Sequence, residues 1–153
     1  MEKILIRNIG IDDIKQLLPL IRMYWKFERI GNFNDEIVSK QLRYLFSNPH
    51  LGKGWLAFAE EEPVGYLLAV YVYSLEHLGL TAEIDEFFIL PHYRKTGIGK
   101  KLLETAETEF RRIGCRNVSL QLDHENGAAR AFYHKQNYFE RSRFELLEKM
   151  LRS

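Results

Sequence analysis

The sequence predicts a mixed α/β fold whose early strands pair antiparallel and whose second half closes on a strand–helix–strand unit. Three observations carry that reading. Apolar residues recur at helical spacing in two blocks, at Ile14, Leu17, Leu18, Ile21 and Trp25 and at Ile37, Val38, Leu42, Leu45 and Phe46. Two strand-like runs, Gly54 to Ala59 and Val64 to Tyr73, flank the short polar joint Glu60-Glu61-Glu62-Pro63, as in an antiparallel hairpin. A third run, Ala82 to Leu90, passes through a glycine-containing loop into an amphipathic helix, and the alternation of Val118, Leu120 and Leu122 with polar residues follows it.

In chain order, Lys3 to Ile9 reads as an opening strand, and Asp12 or Asp13 stands where a cap of the first helix belongs. Gly31 to Asn34 breaks the helical pattern, and Asn48-Pro49 ends the second helix. Pro91 stops the strand from Ala82. Gly97 to Ile113 reads as a helix because Ile98, Leu102, Ala106, Phe110 and Ile113 keep one apolar face, with Gly114 in the place of a helix-terminating glycine. Asn126 caps a short helix to about Gln136, and Tyr138 to the end reads as one or two further strands.

A chain of 153 residues supports one domain, residues 1–153, with one substantial core. Aromatic content of 13% excludes a largely disordered chain. A formal charge of +1 argues against a general nucleic-acid or membrane-surface binder, which carries a strong basic excess. The single cysteine, Cys115, allows neither an intramolecular disulfide nor a thiolate zinc cage and reads as a small buried apolar residue. His92 and His124 have no metal-ligand spacing, so no metal is expected, and no motif supports Ser/His/Asp catalysis. The longest uncharged apolar run, Pro63 to Leu75, falls short of the roughly 18 residues that span a bilayer. The N-terminus lacks the features of a signal peptide, and cytoplasmic residence is the default expectation.

Charge is unevenly spread. Gly54 to Tyr93 holds no Lys or Arg and seven acids, whereas Arg94 to Lys101 holds four bases and no acid. That basic loop opens directly into the helix, whose first turn has unpaired N–H groups and a partial positive charge. Gly97 and Gly99 let a ligand approach the backbone. Together with Arg94, Lys95, Lys100 and Lys101 they form an anion site suited to a phosphate or pyrophosphate. Neither a Walker loop nor the G-x-G-x-x-G dinucleotide fingerprint is present.

R-K-T-G-I-G, Arg94 to Gly99, resembles the Q/R-x-x-G-x-G/A motif of the GNAT superfamily of acyl-CoA-dependent N-acyltransferases. A second match lies in N-G-A-A-R-A-F-Y, where Asn126, Ala129, Phe132 and Tyr133 fit the family's N-x-x-A-x-x-F-Y helix, and the element order agrees along nearly the whole chain. The resemblance implies a mixed, twisted, largely antiparallel sheet that splays open between its fourth and fifth strands and is flanked by about four helices. Acetyl-CoA is the implied cosubstrate. Its pantetheine would pair with the edge of the fourth strand at Phe88, Ile89 and Leu90. Its pyrophosphate would sit on backbone N–H groups of Lys95, Thr96, Gly97, Ile98, Gly99 and Lys100, next to Arg94, with Asn126 and Ala129 at the cofactor arm.

The family's reaction is attack of a neutral amine on the thioester. An amine with a pKa near 10.4 leaves about one molecule in 2,500 neutral at pH 7, so a carboxylate that accepts the proton is valuable. The fourth strand offers Asp85, Glu83 and Glu86, favoured in that order. Strand alternation puts Glu83, Asp85 and Phe87 on one face and Glu86 on the other. I-D-E-F-F-I here is similar to L-E-D-F-F-V of spermidine/spermine acetyltransferases, which maps their proposed catalytic carboxylate onto Asp85, and Glu83 takes the place of the acid in the superfamily's histone acetyltransferases. Tyr133 matches the family's general acid, a phenol able to protonate the departing thiolate.

The first two helices and their connection wall the acceptor site in the family. Here they hold Tyr24, Trp25, Phe27 and Glu28, with Phe33, Asp35 and Glu36, a set that suits a cationic amine such as a polyamine, an aminoglycoside or a lysine. Trp25 and Phe27 serve equally well as core. Two positions depart from the family pattern. Asn137 replaces the glycine before an aromatic after the second motif, and Asn tolerates the left-handed conformation. Lys95 replaces the glycine common after the arginine. The expected partners are therefore acetyl-CoA and an amine acceptor on a small molecule or a protein, with neither nucleic acid nor membrane, and with a homodimer as an option. The alternative is a non-catalytic acyl-CoA-binding module used for regulation or interaction.

Overall fold

The computed structural model describes residues 2–152, and among them the chain forms β1 (Ile4–Asn8), α1 (Ile14–Phe27), α2 (Asp35–Ser47), β2 (Gly52–Ala59), β3 (Glu62–Ser74), β4 (Gly79–Ile89), α3 (Ile98–Arg112), β5 (Val118–Leu120) and α4 (Gly127–Lys135). The five strands form one sheet in sequence order, antiparallel except for the parallel pair β4–β5. A mixed α/β chain with a largely antiparallel sheet and four helices among the described residues is as the sequence predicts. No helix among the described residues is long and apolar enough to cross a membrane.

The chain divides into two units, Met1–Gln121 and Leu122–Ser153. In the first, α1 and α2 cover one face of the sheet. Leu17, Ile21 and Leu42 pack into a buried cluster with Leu56, Tyr66, Leu68 and Phe88. Alternation sends the neighbouring strand residues to the other face, where Phe110 of α3 meets Trp55 edge-on at 5.7 Å and Tyr71 at 6.3 Å. Leu17 and Leu102 are fully buried, each contributing about 1.5–3 kcal/mol of apolar burial. Asp13 takes the N-cap position of α1 but does not cap it with its side chain. Its carboxylate instead accepts a fork of hydrogen bonds from Arg7 at 2.7 and 2.8 Å, with further bonds from the Gly10 N–H and the Gln16 amide, and so ties β1 to the helix start.

The β2–β3 hairpin turns through Glu60 and Glu61, and a one-residue irregularity at Val64 follows, since Ala57 pairs Gly65 while Phe58 pairs Pro63. Gly65 is required there, because a Cβ would stand 2.8 Å from the Phe88 carbonyl oxygen. The hairpin therefore holds the end of β4 against β3 by close backbone approach.

Three expectations need correction. β5 ends at Leu120, short of Leu122, and the described residues after Tyr138 contain no strand. In that terminal stretch Phe144, Leu146, Leu147, Met150 and Leu151 do not alternate with polar residues and are exposed, and no strand of the second unit offers them a ladder. Cys115 is half-buried rather than buried, and partial desolvation raises its thiol pKa.

Candidate active site

The candidate site of the first unit is organised by one residue of offset in β4. Ile84 pairs with Ala69 and Glu86 with Leu68, which leaves Asp85 as an extra residue in a β-bulge. The parallel ladder to β5 covers only Ala82, Glu83 and Ile84. Bulge and ladder end therefore coincide, and from Asp85 to Ile89 the far edge of β4 has no β5 partner. This is where the sheet opens. The Leu90 N–H donates to Val64 across the β3 side, so by alternation the Ile89 carbonyl faces the open edge, where it accepts from Arg94 Nε at 2.8 Å.

The bulge also overturns the expected facing of the acids. Glu83 lies opposite Val70 and Glu86 opposite Leu68, two residues apart on β3, so Glu83 and Glu86 share a face. That face is the one covered by α1 and α2, since Leu68 belongs to their core cluster. Phe87, opposite Leu67, is on the other face. Regular alternation fails because the chain spends an additional residue at Asp85.

Glu86 is consequently half-buried between β3 and α1. Its Oε2 accepts the Trp25 indole N–H at 2.8 Å and its Oε1 accepts the Tyr66 hydroxyl at 2.9 Å. Burial pushes its carboxyl up to about 7, the two hydrogen bonds pull it down, and the neighbouring Asp85 charge adds to the rise. Asp85 reaches the surface, and partial desolvation raises its carboxyl from the ordinary value. Burial, with help from the nearby carboxylates, drives the Tyr66 phenol well above its ordinary range, so it remains a donor. The other withdrawn acids are treated differently. Asp13 is held down to about 2, first by its hydrogen bonds from Arg7, and Glu109 to about 2 by Arg112 and then Lys53.

The expected acceptor wall divides in two. Tyr24 meets Tyr66 at 6.3 Å and Phe88 at 6.0 Å, while Trp25 holds Glu86 and stands edge-on to Phe33 at 5.1 Å. Trp25 and Tyr66 meet Glu86 directly, and the other rings pack on these two and on Phe88. Phe27 lies farther along α1, exposed, with the Arg94 guanidinium 5.2 Å from its ring. Glu28 is half-buried and ends α1 through its backbone N–H to Tyr24. Sequence reasoning missed Tyr66. Its signal was a phenol inside the apolar run Val64 to Val70, a position where a buried hydroxyl requires a partner.

The basic loop has the form of an anion cradle. A 3-10 turn at Pro91–Tyr93 leads to Arg94, then Lys95 at φ +61° and Gly97 at φ +91° bring successive N–H groups around. The left-handed backbone at Lys95 explains why glycine suits that position. Lys101 N–H is the first to find a carbonyl of the turn, that of Gly97, and the amides of Ile98, Gly99 and Lys100 precede it at the helix start. The Thr96 hydroxyl donates to the Tyr93 carbonyl and braces the loop. Phe88 is buried, Ile89 and Leu90 are half-buried, and Arg94 also packs 5.4 Å from the Phe88 ring.

In the second unit, Asn126 caps α4 as expected, its side chain accepting the Ala129 N–H at 3.1 Å. Tyr133 is half-buried between the rings of Phe132 at 5.3 Å and Tyr138 at 5.5 Å. Asn137 adopts φ +69°, the left-handed turn anticipated for it. Glu140 bridges His134 and Arg130, each at 2.7 Å, which locks the end of α4 to the following loop. Among the described residues no group of three or more His, Cys, Asp or Glu is placed to hold a metal ion.

Comparison with known proteins agrees with this architecture. Residues 17–138 match the model of the acetyltransferase (GNAT) family. A spermidine N(1)-acetyltransferase of Thermoplasma acidophilum is 24% identical over 145 residues, covering 87% of this chain and 86% of that protein. An aminoglycoside N-acetyltransferase solved in complex with CoA superposes with a TM-score of 0.85 at 16% identity, over 97% of this chain and 96% of the other. An aminoglycoside acetyltransferase from an uncultured soil metagenomic sample, solved with sisomicin, gives a TM-score of 0.81 at 20% identity, over 97% of each chain.

Proposed function

Because the chain belongs to the GNAT family of acetyltransferases, we propose that it moves the acetyl group of acetyl-CoA directly onto a primary amine of a small polycationic molecule of the polyamine or aminoglycoside kind. The observation that carries the acceptor class is Glu86, a withdrawn carboxylate held by the neutral donors of Trp25 and Tyr66, with Tyr24 packed on Tyr66 and Phe88 beside them. A carboxylate among aromatic faces favours an ammonium. The spermidine-acetylating relative and the aminoglycoside-acetylating neighbours support the same class.

The chain's residues fit acetyl-CoA. The open edge of β4 offers backbone groups for an amide-bearing arm. The N–H groups from Lys95 to Lys100, with Lys95 and Gly97 in left-handed conformation, suit a pyrophosphate. Acetyl-CoA supplies the acetyl group already activated as a thioester. Glu86, when ionised, takes the proton that the acceptor ammonium must lose, with Asp85 as a second negative charge that draws the cation in. By its motif Tyr133 gives its phenolic proton to the departing sulfur, and Asn126 supports that helix.

A thiol-release assay with acetyl-CoA over a panel of spermidine, an aminoglycoside and lysine peptides tests the reading. Turnover is expected with the polyamine or the aminoglycoside. Tight acetyl-CoA binding without turnover on any amine sinks the enzymatic reading in favour of a binding module, and turnover on peptides alone moves the acceptor to proteins. Tyr133→Phe should lower turnover by about 10²-fold while leaving acetyl-CoA affinity unchanged.

A further inference from the structure

We propose that Trp25 and Tyr66 are positioning residues for Glu86, fixing one carboxylate oxygen each and thereby setting the pH range over which this acid accepts a proton. The inference rests on Glu86 as the proton acceptor. The two donors come from different elements, the indole N–H from α1 at 2.8 Å and the hydroxyl from β3 at 2.9 Å, and each takes its own oxygen. Such a bracket leaves the carboxyl little freedom to rotate. It also leaves each oxygen a second lone pair for an incoming N–H.

A purely structural purpose is a poor account of this arrangement. If Glu86 served only to satisfy a buried phenol and an indole, a neutral carbonyl oxygen with its two lone pairs could do so without placing a charge in a half-buried site. The charge has no counter-ion among the described residues, in contrast to Asp13 and Glu109. Nor do the donors fail within the working range, since an indole N–H does not titrate there and burial keeps the Tyr66 phenol protonated.

The charged and titratable groups around Glu86 come from each neighbouring element. They are Asp85 and Glu83 on β4, Tyr66 on β3, Tyr24 on α1, and Arg94, stacked over Phe88, from the basic loop. Asp85 and desolvation oppose ionisation, and the two hydrogen bonds favour it. Trp25 adds a mechanical link. Its ring abuts Phe33 in the α1–α2 connection, so the same side chain that orients the carboxylate also rests on the segment leading to α2.

The test is the pH dependence of kcat/KM for the best acceptor found in the panel, in wild type, Tyr66→Phe, Trp25→Phe and Glu86→Gln. Wild type should show an acid limb with its midpoint at about 7. Losing one donor to a charged acceptor should move that midpoint up by about one pH unit in each of the two donor variants. The Tyr66→Phe rate should fall about fivefold at pH 7 and return to within about twofold of wild type two pH units above the shifted midpoint. Glu86→Gln should have no such limb. A limb that disappears in Glu86→Gln but stays in place in both donor variants overturns the positioning role and leaves Glu86 as proton acceptor. A loss uniform across pH in the donor variants overturns it as well, because it marks packing. Persistence of the limb in Glu86→Gln rejects Glu86 itself.

Discussion

Asp13 and Glu86 are carboxylates drawn out of solvent on the same unit, yet their surroundings differ in kind. Asp13 receives a guanidinium fork from Arg7, the Gly10 N–H and the Gln16 amide, and its pKa falls to about 2. Glu86 receives two neutral donors, and its pKa rises to about 7. The first is matched within the fold and works as a tie between β1 and α1. The second forms no ion pair among the described residues, and a cationic acceptor can complete it. Charge that the fold balances is structural, and charge it leaves unbalanced beside the open edge of β4 points to ligand chemistry.

Replacing each acid by its amide separates the two roles. Glu86→Gln should cut kcat by about 10²–10⁴-fold in the thiol-release assay, the usual worth of a general base. The same change should remove the dependence of stability on this proton. The native midpoint of about 7 lies above the ordinary carboxylate value of 4.5, so the folded state binds the proton more tightly and wild-type stability declines as pH rises between these values. The amide should therefore lack that decline, worth about 1–3 kcal/mol in denaturant titrations, while its NH2 group leaves one of the two donors unpaired at every pH. If Glu86→Gln keeps the decline of stability between these pH values and is fully active, the contrast between the two acids is wrong.

Asp13→Asn should behave in the opposite way, losing about 2 kcal/mol of stability at pH 7 while the acid limb of the rate profile stays where it was. Here the native pKa lies below the ordinary value. The stabilisation is complete above the ordinary midpoint of 3.8 and is lost as pH falls toward about 2, which acid denaturation of wild type and variant would reveal. Glu109→Gln should give the smallest effect. Glu109 pairs with Lys53 at 2.8 Å and Arg112 at 2.5 Å, but Arg112 is largely exposed, so solvent screening limits the loss to about 1 kcal/mol or less and high salt should shrink it further.

The sequence reveals one side of this contrast more readily than the other. The α3 helix and the cap at Asn126 follow from local rules, and the structure bears out both. The left-handed turn at Asn137 is legible for the same reason, because Asn tolerates that conformation. The facing of Glu86 is not legible. It depends on a single extra residue at Asp85, and that offset arises from the registers of β4 with β3 and β5, which no short stretch of sequence encodes. The role of Tyr66 was hidden likewise, since its partner stands 20 residues away on the next strand. At the C-terminus, clustered apolar residues from Phe144 to Leu151 read as strand by composition, and without a partner strand in their unit they form none.

The most direct measurement is the titration of the Glu86 side-chain carboxyl by carbon NMR, first in the free protein and then with a saturating polyamine. The predicted midpoint is about 7 in the free protein, falling by at least one unit when the ammonium supplies the missing positive charge. A midpoint at the ordinary carboxylate value that does not move with polyamine would contradict the account.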